Sequence, residues 1–402
     1  MEDGPAHEEE EQVRLRSLYY IRRALADIQT SSGTPEALDD AMPGVLERKS
    51  LLTMTHLWDK RSWKRHRSLG RWWLFVRNWP SSSILKSIRP LINVLLLFTL
   101  LIIAVNRLAE HAGLGRPLQL PLAPLSLQAA SIGLLVVFRN NQTHDRLKEA
   151  QRALGGLGPL GREIMQLLIV HVPPARARDV GHAARLLALY GWALKMQCRG
   201  EEQSLAPIAA ILLPRAHGWL LQRENRPAAV LLRLRAVLGA LRAHGALNSD
   251  AFKFIEERLA KLSAVDATCN RLATFPVPPS YHRHGSRALI LWLGSLPFVM
   301  EGLNCHILQS LVSVACTAFL LLGIDHIAIE IEQPLDVLPL HVFAANMSTD
   351  VAAVLESWWL MPALPKWDEI EVQLGDESFK SQPQGDELLQ EKGDEPPKEK
   401  AS

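Results

Sequence analysis

The sequence predicts an all-α membrane protein, with four membrane helices per subunit and an extramembrane helical domain. Two uncharged apolar stretches, about 90–106 and 117–138, are the first observation. A second apolar pair at about 288–300 and 303–323 is the next. Crossing a hydrocarbon core of about 30 Å takes roughly 20 helical residues at ~1.5 Å each. Third, the segment between the pairs, 139–287, has helical periodicity without long apolar runs. No alternating strand pattern competes.

Whole-chain averages hide this organisation. The 402 residues carry a net charge of +2 and a mean hydropathy of +0.03, as a soluble protein would. Charge is segregated, however. Segment 139–287 holds 22 Lys and Arg against 11 Asp and Glu, whereas both ends are acidic. A basic middle attracts small anions, anionic lipid or nucleic acid. No recognised motif accompanies the charge, so no nucleic-acid partner is expected.

From the N-terminus, 1–57 is polar and expected to be mostly disordered, with a short helix near 13–28. It contains no early apolar run, so neither a signal peptide nor a recognisable transit peptide is expected. Trp58, Trp63, Trp72, Trp73 and Trp79 then stand among Arg61, Lys64, Arg65, Arg67, Arg71 and Arg77. That mixture suits a membrane–water boundary, where indoles sit at head-group depth and cations snorkel. After the first two spans, breakers at Gly155-Gly156, Pro173-Pro174, Gly200, Pro214 and 276–279 divide 139–287 into about four helices. The third span is short and interrupted by Gly294 and Pro297, with a tight connection to the fourth at Glu301-Gly302. Segment 351–402 reads as the end of a helix near 350–360 and then a disordered tail. Both 58–89 and 139–287 are basic and flank an even number of spans, so they share one aqueous phase with the termini. No internal repeat supports a transporter of inverted halves.

Catalytic signals are missing. No phosphate-cradling loop, H-E-x-x-H, G-x-S-x-G or zinc-type Cys/His spacing occurs, so neither an enzyme nor a bound cofactor or metal is expected. His282 and His284 flank Arg283 and read as boundary histidines, on opposite sides of a helix. Glu330 and Glu332 read as caps or salt-bridge partners. Cys198, Cys269, Cys305 and Cys316 form no C-x-x-C pair and read as reduced thiols.

One stripe on the second span stands out. Ala130, Leu134 and Phe138 are four apart and share a helix face. Such a stripe either packs on a neighbouring helix or forms a hydrophobic constriction when several copies surround an axis. Arg139, Asn140 and Asn141 follow immediately, and Arg146 comes two turns later. These residues are expected to attract an anion beside the passage; an arginine snorkelling to the interface is the alternative.

Four ordered stretches carry a family resemblance. They are WKRHRSLGRWW (63–73), LLVVFRNNQTHDRLKEAQRAL (134–154), PVPPSYHRHGSRALILW (276–292) and GIDHIAIEIEQPLDVLPL (323–340). Together they resemble the bestrophin family of anion channels, in particular its plant and algal thylakoid branch, over about 58–350. The resemblance implies a homopentamer around one central pore, with a neck at Ala130, Leu134 and Phe138. Ala130 departs from the bulky residue usual in many members, which would widen the outer neck. Animal members carry an acidic calcium clasp after the last span. Here Gln333-Pro334 runs almost directly into Leu338-Pro339, and Asp336 alone cannot supply the six to eight oxygens calcium prefers.

The function these readings imply is a chloride channel without calcium gating, with chloride or other small anions, membrane lipids and copies of itself as partners. A bicarbonate channel of an algal thylakoid and a non-conducting membrane scaffold are the alternatives. The resemblance implies a multi-pass protein of the chloroplast thylakoid; the plasma membrane or another internal membrane is the alternative.

Overall fold

The computed structural model describes residues 60–79, 82–199 and 214–360, together with Tyr19, Arg22, Ile208 and Ile211. The expectations for 1–57 and for the tail beyond 360 fall outside the described residues, apart from the helical Tyr19 and Arg22. Among the described residues every regular element is helical.

Two short helices come first, α1 (Lys60–Arg67) and α2 (Gly70–Arg77). They lead to α3 (Ser83–His111) and α4 (Leu122–Gly155). Pro121, extended at φ −67° and ψ 150°, precedes the first turn of α4. The sequence predicts that the second apolar segment ends at Phe138, but α4 runs on unbroken to Gly155. A change from apolar to polar residues does not stop a helix. Neither Pro nor Gly intervenes between Gly133 and Gly155, so nothing releases the backbone earlier.

The helical domain follows as α5 (Leu157–His171), a 3₁₀ turn at Pro174–Arg176, α6 (Ala177–Arg199), α7 (Pro214–Leu221), α8 (Arg226–Ala243) and α9 (Ser249–Thr274). Asn225 and Asn248 start α8 and α9. Each side-chain oxygen accepts from a backbone N–H three residues on, at 3.0 and 2.7 Å. The core of this domain is fully buried, around Ile164, Leu168, Leu187, Tyr190, Trp192, Leu234 and Leu259. All four cysteines are free, and the hydrogen bond with Cys198 pushes the Cys269 thiol up, as does burial.

Next come α10 (Pro279–Gly302), α11 (Ile307–Ile331), α12 (Pro334–Val337) and α13 (Leu340–Leu360). Pro297 lies inside α10 without ending it. The break falls instead at 303–306, where Asn304 takes φ 55°. Gly302 has no room for a side chain, because a Cβ there would lie 2.5 Å from the Leu120 carbonyl oxygen. α11 also continues past the predicted end at 323.

α3, α4, α10 and α11 form an apolar bundle. Its shared core contains Ile88, Ile92, Leu125, Ile132, Leu293, Val299, Val314 and Leu322. Among the described residues, three helical stretches are long and apolar enough to cross a membrane: Ile84–His111, Leu122–His171 and Ile307–Ile331. The lower half of α4 leaves the bundle and packs on α5, α9 and α12, so one helix joins both layers.

Candidate functional site

α4 has two faces of opposite character. Leu125, Ile132, Arg139, Thr143, Ala150 and Leu154 are buried, spaced by sevens and fours as a helix seam requires. The other face carries Leu127, Ala130, Ser131, Leu134, Phe138 and Asn141, all exposed in the single chain. Leu134 keeps 55% of its surface and Phe138 51%. The predicted stripe is thus continuous and, among the described residues, covered by nothing in its own subunit. Above it, Ser126, Leu127, Gln128 and Ala129 are exposed in succession, so the top of α4 stands proud of the bundle on several sides.

The four polar residues expected beside the stripe divide. Asn141 is exposed on the same side as Phe138, and Asn140 is half-buried. Arg139 instead turns inward, with 5% of its side chain exposed, and forms an ion pair with Asp325 of α11. Its guanidinium also meets the ring Nε2 of His282 and donates to the Ser286 hydroxyl at 3.3 Å, both on α10. His282 Nδ1 lies 3.5 Å from a carboxylate oxygen of Glu332, whose other oxygen accepts from the Val277 N–H at 3.2 Å. A continuous chain of polar contacts therefore runs from Asp325 through Arg139 and His282 to Glu332. It holds α4 to α10 and α11 directly beside Phe138.

Arg146 is likewise spent inside the subunit. It donates to the backbone carbonyls of Glu332, Phe275 and Leu272 at 3.1, 2.8 and 2.9 Å. One guanidinium thereby satisfies the ends of α9 and α11, where carbonyls lack helical partners. One turn below, Glu149 pairs with Arg271.

The opposite end of the bundle has its own buried polar cluster. Glu301, 3% exposed, accepts from the Asn106 amide at 3.1 Å. Asn106 also donates to the Leu118 carbonyl and accepts from its N–H, at 3.0 and 2.9 Å. The turn between α3 and α4 is pinned to α10 there. The sequence reading places Glu301 in the connection between the last two spans and gives neither it, Asn106 nor Asp325 a partner, although each interrupts an apolar run. Ionisable groups in such runs are costly and need partners, and that was the available signal.

Arg199, at the end of α6, was also missed. It donates to the carbonyls of Leu335, Asp336 and Leu338 at 2.9, 3.0 and 2.6 Å. The loop after α11 is thus organised around a guanidinium.

Comparison with known proteins agrees with this architecture. The family model described as bacterial/fungal bestrophin protein matches residues 62–353. The voltage-dependent anion channel-forming protein YneE of Escherichia coli K12 is 28% identical over 63% of this chain and 80% of its own length. The chloroplastic voltage-dependent chloride channel 2 of Arabidopsis thaliana is 24% identical over 80% of this chain and 78% of its own. Among solved structures, a variant of a bacterial bestrophin homologue from Klebsiella pneumoniae superposes with a TM-score of 0.59. Its identity is 25%, covering 66% of this chain and 97% of that one. With the family model spanning most of its length, this chain belongs to the bestrophin family.

Proposed function

We propose that the chain is the subunit of an anion channel, in which copies assemble as a homopentamer so that the exposed face of α4 rings a central passage. One observation carries this reading: the apolar stripe Ala130, Leu134, Phe138 is exposed, continuous and backed by a buried seam. The channel names of the relatives from Escherichia coli and Arabidopsis support it. In this reading α10 joins the three long apolar helices as the fourth membrane helix.

Permeation follows from elementary physics. A passage lined by Leu134 and Phe138 offers an ion no replacement for its water. Entry therefore favours anions that shed water cheaply, and the neck closes by dewetting. The Phe138 ring edge, the positive part of its quadrupole, faces the anion. Asn141 supplies amide N–H donors just below. The excess of Lys and Arg in 139–287 raises the local anion concentration at that mouth. Arg139 and Arg146 act differently from Asn141: their pairings fix the rotation of α4 and so aim the stripe.

Chloride is the proposed permeant ion, and calcium plays no part in gating. Arg199 supports the second point, since it occupies three carbonyls of the loop after α11 with a fixed positive charge. The chloroplastic relative supports a plastid membrane as the location.

Planar-bilayer recording of the purified full chain under chloride, nitrate and bicarbonate gradients tests the proposal. Anion-selective current insensitive to calcium is expected. A larger bicarbonate than chloride permeability would make it a bicarbonate channel, and absence of current would leave a scaffold. Replacing Leu134 and Phe138 together by Ala should raise conductance several-fold and flatten permeability ratios. Unchanged currents would remove the neck from α4.

A further inference from the structure

We propose that α1 carries a binding site for anionic phospholipid head groups, formed by Lys60, Trp63, Lys64 and Arg67. These positions fall at i, i+3, i+4 and i+7, so one face of the helix presents three cations and an indole. They line an open cleft of about 570 Å³ together with Ser68. The Arg67 guanidinium lies over the Trp63 ring at 6.0 Å, which holds the cation and the aromatic plane side by side.

Three further observations name the occupant. First, the sequence from Lys60 to Ala109 contains no acidic residue, so no internal carboxylate competes for these cations within that stretch. An anion is the complement. Second, the site is continuous with the apolar bundle. α2 follows with Trp72, Trp73, Phe75 and Val76 all exposed, and Trp79 then packs on Phe319 of α11 at 5.4 Å between ring centroids. The chain that carries the cationic face thus meets the bundle through Trp79, just before α3 begins, against the middle of α11. Third, exposed indoles beside cations are stable at head-group depth, where the ring is half-solvated and the charge meets phosphate. A free phosphate would use the cations but leave the apolar face of α2 in water; a lipid satisfies both.

The site rests on the reading that the apolar bundle lies in a bilayer, and its role would be to set the depth of the first membrane helix. The test titrates the detergent-purified full chain with short-chain phosphatidylglycerol and with phosphatidylcholine, reading retained lipid by native mass spectrometry. The protein should retain phosphatidylglycerol preferentially. A surface cation contributes about fivefold in lipid affinity, so Lys60→Gln, Lys64→Gln and Arg67→Gln together should weaken retention roughly 100-fold. The same change at the exposed Lys148, Lys253 and Lys261 should leave it unaltered.

Equal retention of both lipids by the unmodified protein would overturn the site, as would an unchanged preference in the Gln variant. Displacement of phosphatidylglycerol by millimolar inorganic phosphate would overturn the lipid in favour of a free anion. If the Gln variant does not assemble, salt makes the same test on the unmodified protein. Preference should collapse between about 0.1 and 1 M, as the Debye length shrinks from ~10 to ~3 Å; a salt-independent preference overturns the site. A chain that alkaline carbonate strips from vesicles would contradict the bilayer reading instead. A chain that stays embedded without head-group preference contradicts only the site.

Discussion

α3 and α4 look alike as sequences, yet their outward faces differ. Both begin near prolines and carry long uncharged apolar runs. Between Val94 and Ala104, the outward residues of α3 are Val94, Leu97, Leu100, Leu101 and Ala104, an aliphatic surface suited to lipid. The outward residues of α4 alternate in kind: Leu127, Gln128, Ala130, Ser131, Leu134, Phe138 and Asn141. An amide or hydroxyl facing hydrocarbon loses its water without return. The face of α4 therefore asks for a neighbouring subunit or a water-filled passage, whereas that of α3 between Val94 and Ala104 does not. Size and charge make two helices membrane-compatible; in the proposed assembly, the polarity of the uncovered face is what separates the one that lines the passage from the one that faces lipid.

The two helices also differ in how they are fixed. Near its end α3 is fixed by the neutral Asn106, hydrogen-bonded to the buried Glu301, whereas α4 is held beside Phe138 by the Arg139–Asp325 pair. The largest expected effect is there. Asp325→Ala strands the Arg139 charge, and removing one partner of a buried pair costs about 3–5 kcal/mol. Thermal unfolding in detergent should show loss of the assembled protein or a steep fall in Tm. An unchanged Tm would mean that Arg139 reaches water.

Next comes a pair of charge insertions that sets the faces against each other. Leu101→Lys puts an ammonium where α3 meets lipid, at about 2.5–3.5 kcal/mol by insertion scales, and membrane yield should drop. Ser131→Lys on α4 should insert normally and increase anion current at low salt. Equal yields for the two variants would erase the contrast. Thr99→Val gives the smallest expected effect. Its buried hydroxyl donates only to the Leu95 carbonyl of the same helix, at 2.7 Å, and the change should stay below about 1 kcal/mol in thermal unfolding.

Much of this is legible in the sequence alone. Apolar length marked the helices, and spacing by fours placed Ala130, Leu134 and Phe138 together. Two kinds of information were not local. Helix ends depend on whether something interrupts the backbone, so α4 runs past Phe138 and α11 past 323. Partnerships depend on the fold: Asp325 and His282 are far from Arg139 in sequence, and no spacing rule brings them together. His282, read as a boundary histidine, proved to bridge Arg139 and Glu332.

The most direct test places a single cysteine on each face, in a background freed of Cys305 and Cys316, and follows channel current during exposure to a charged thiol reagent. Leu134→Cys should be modified from the aqueous phase and its current blocked, while Leu97→Cys on α3 should conduct undisturbed. Block at Leu97→Cys with none at Leu134→Cys would show that the passage lies elsewhere.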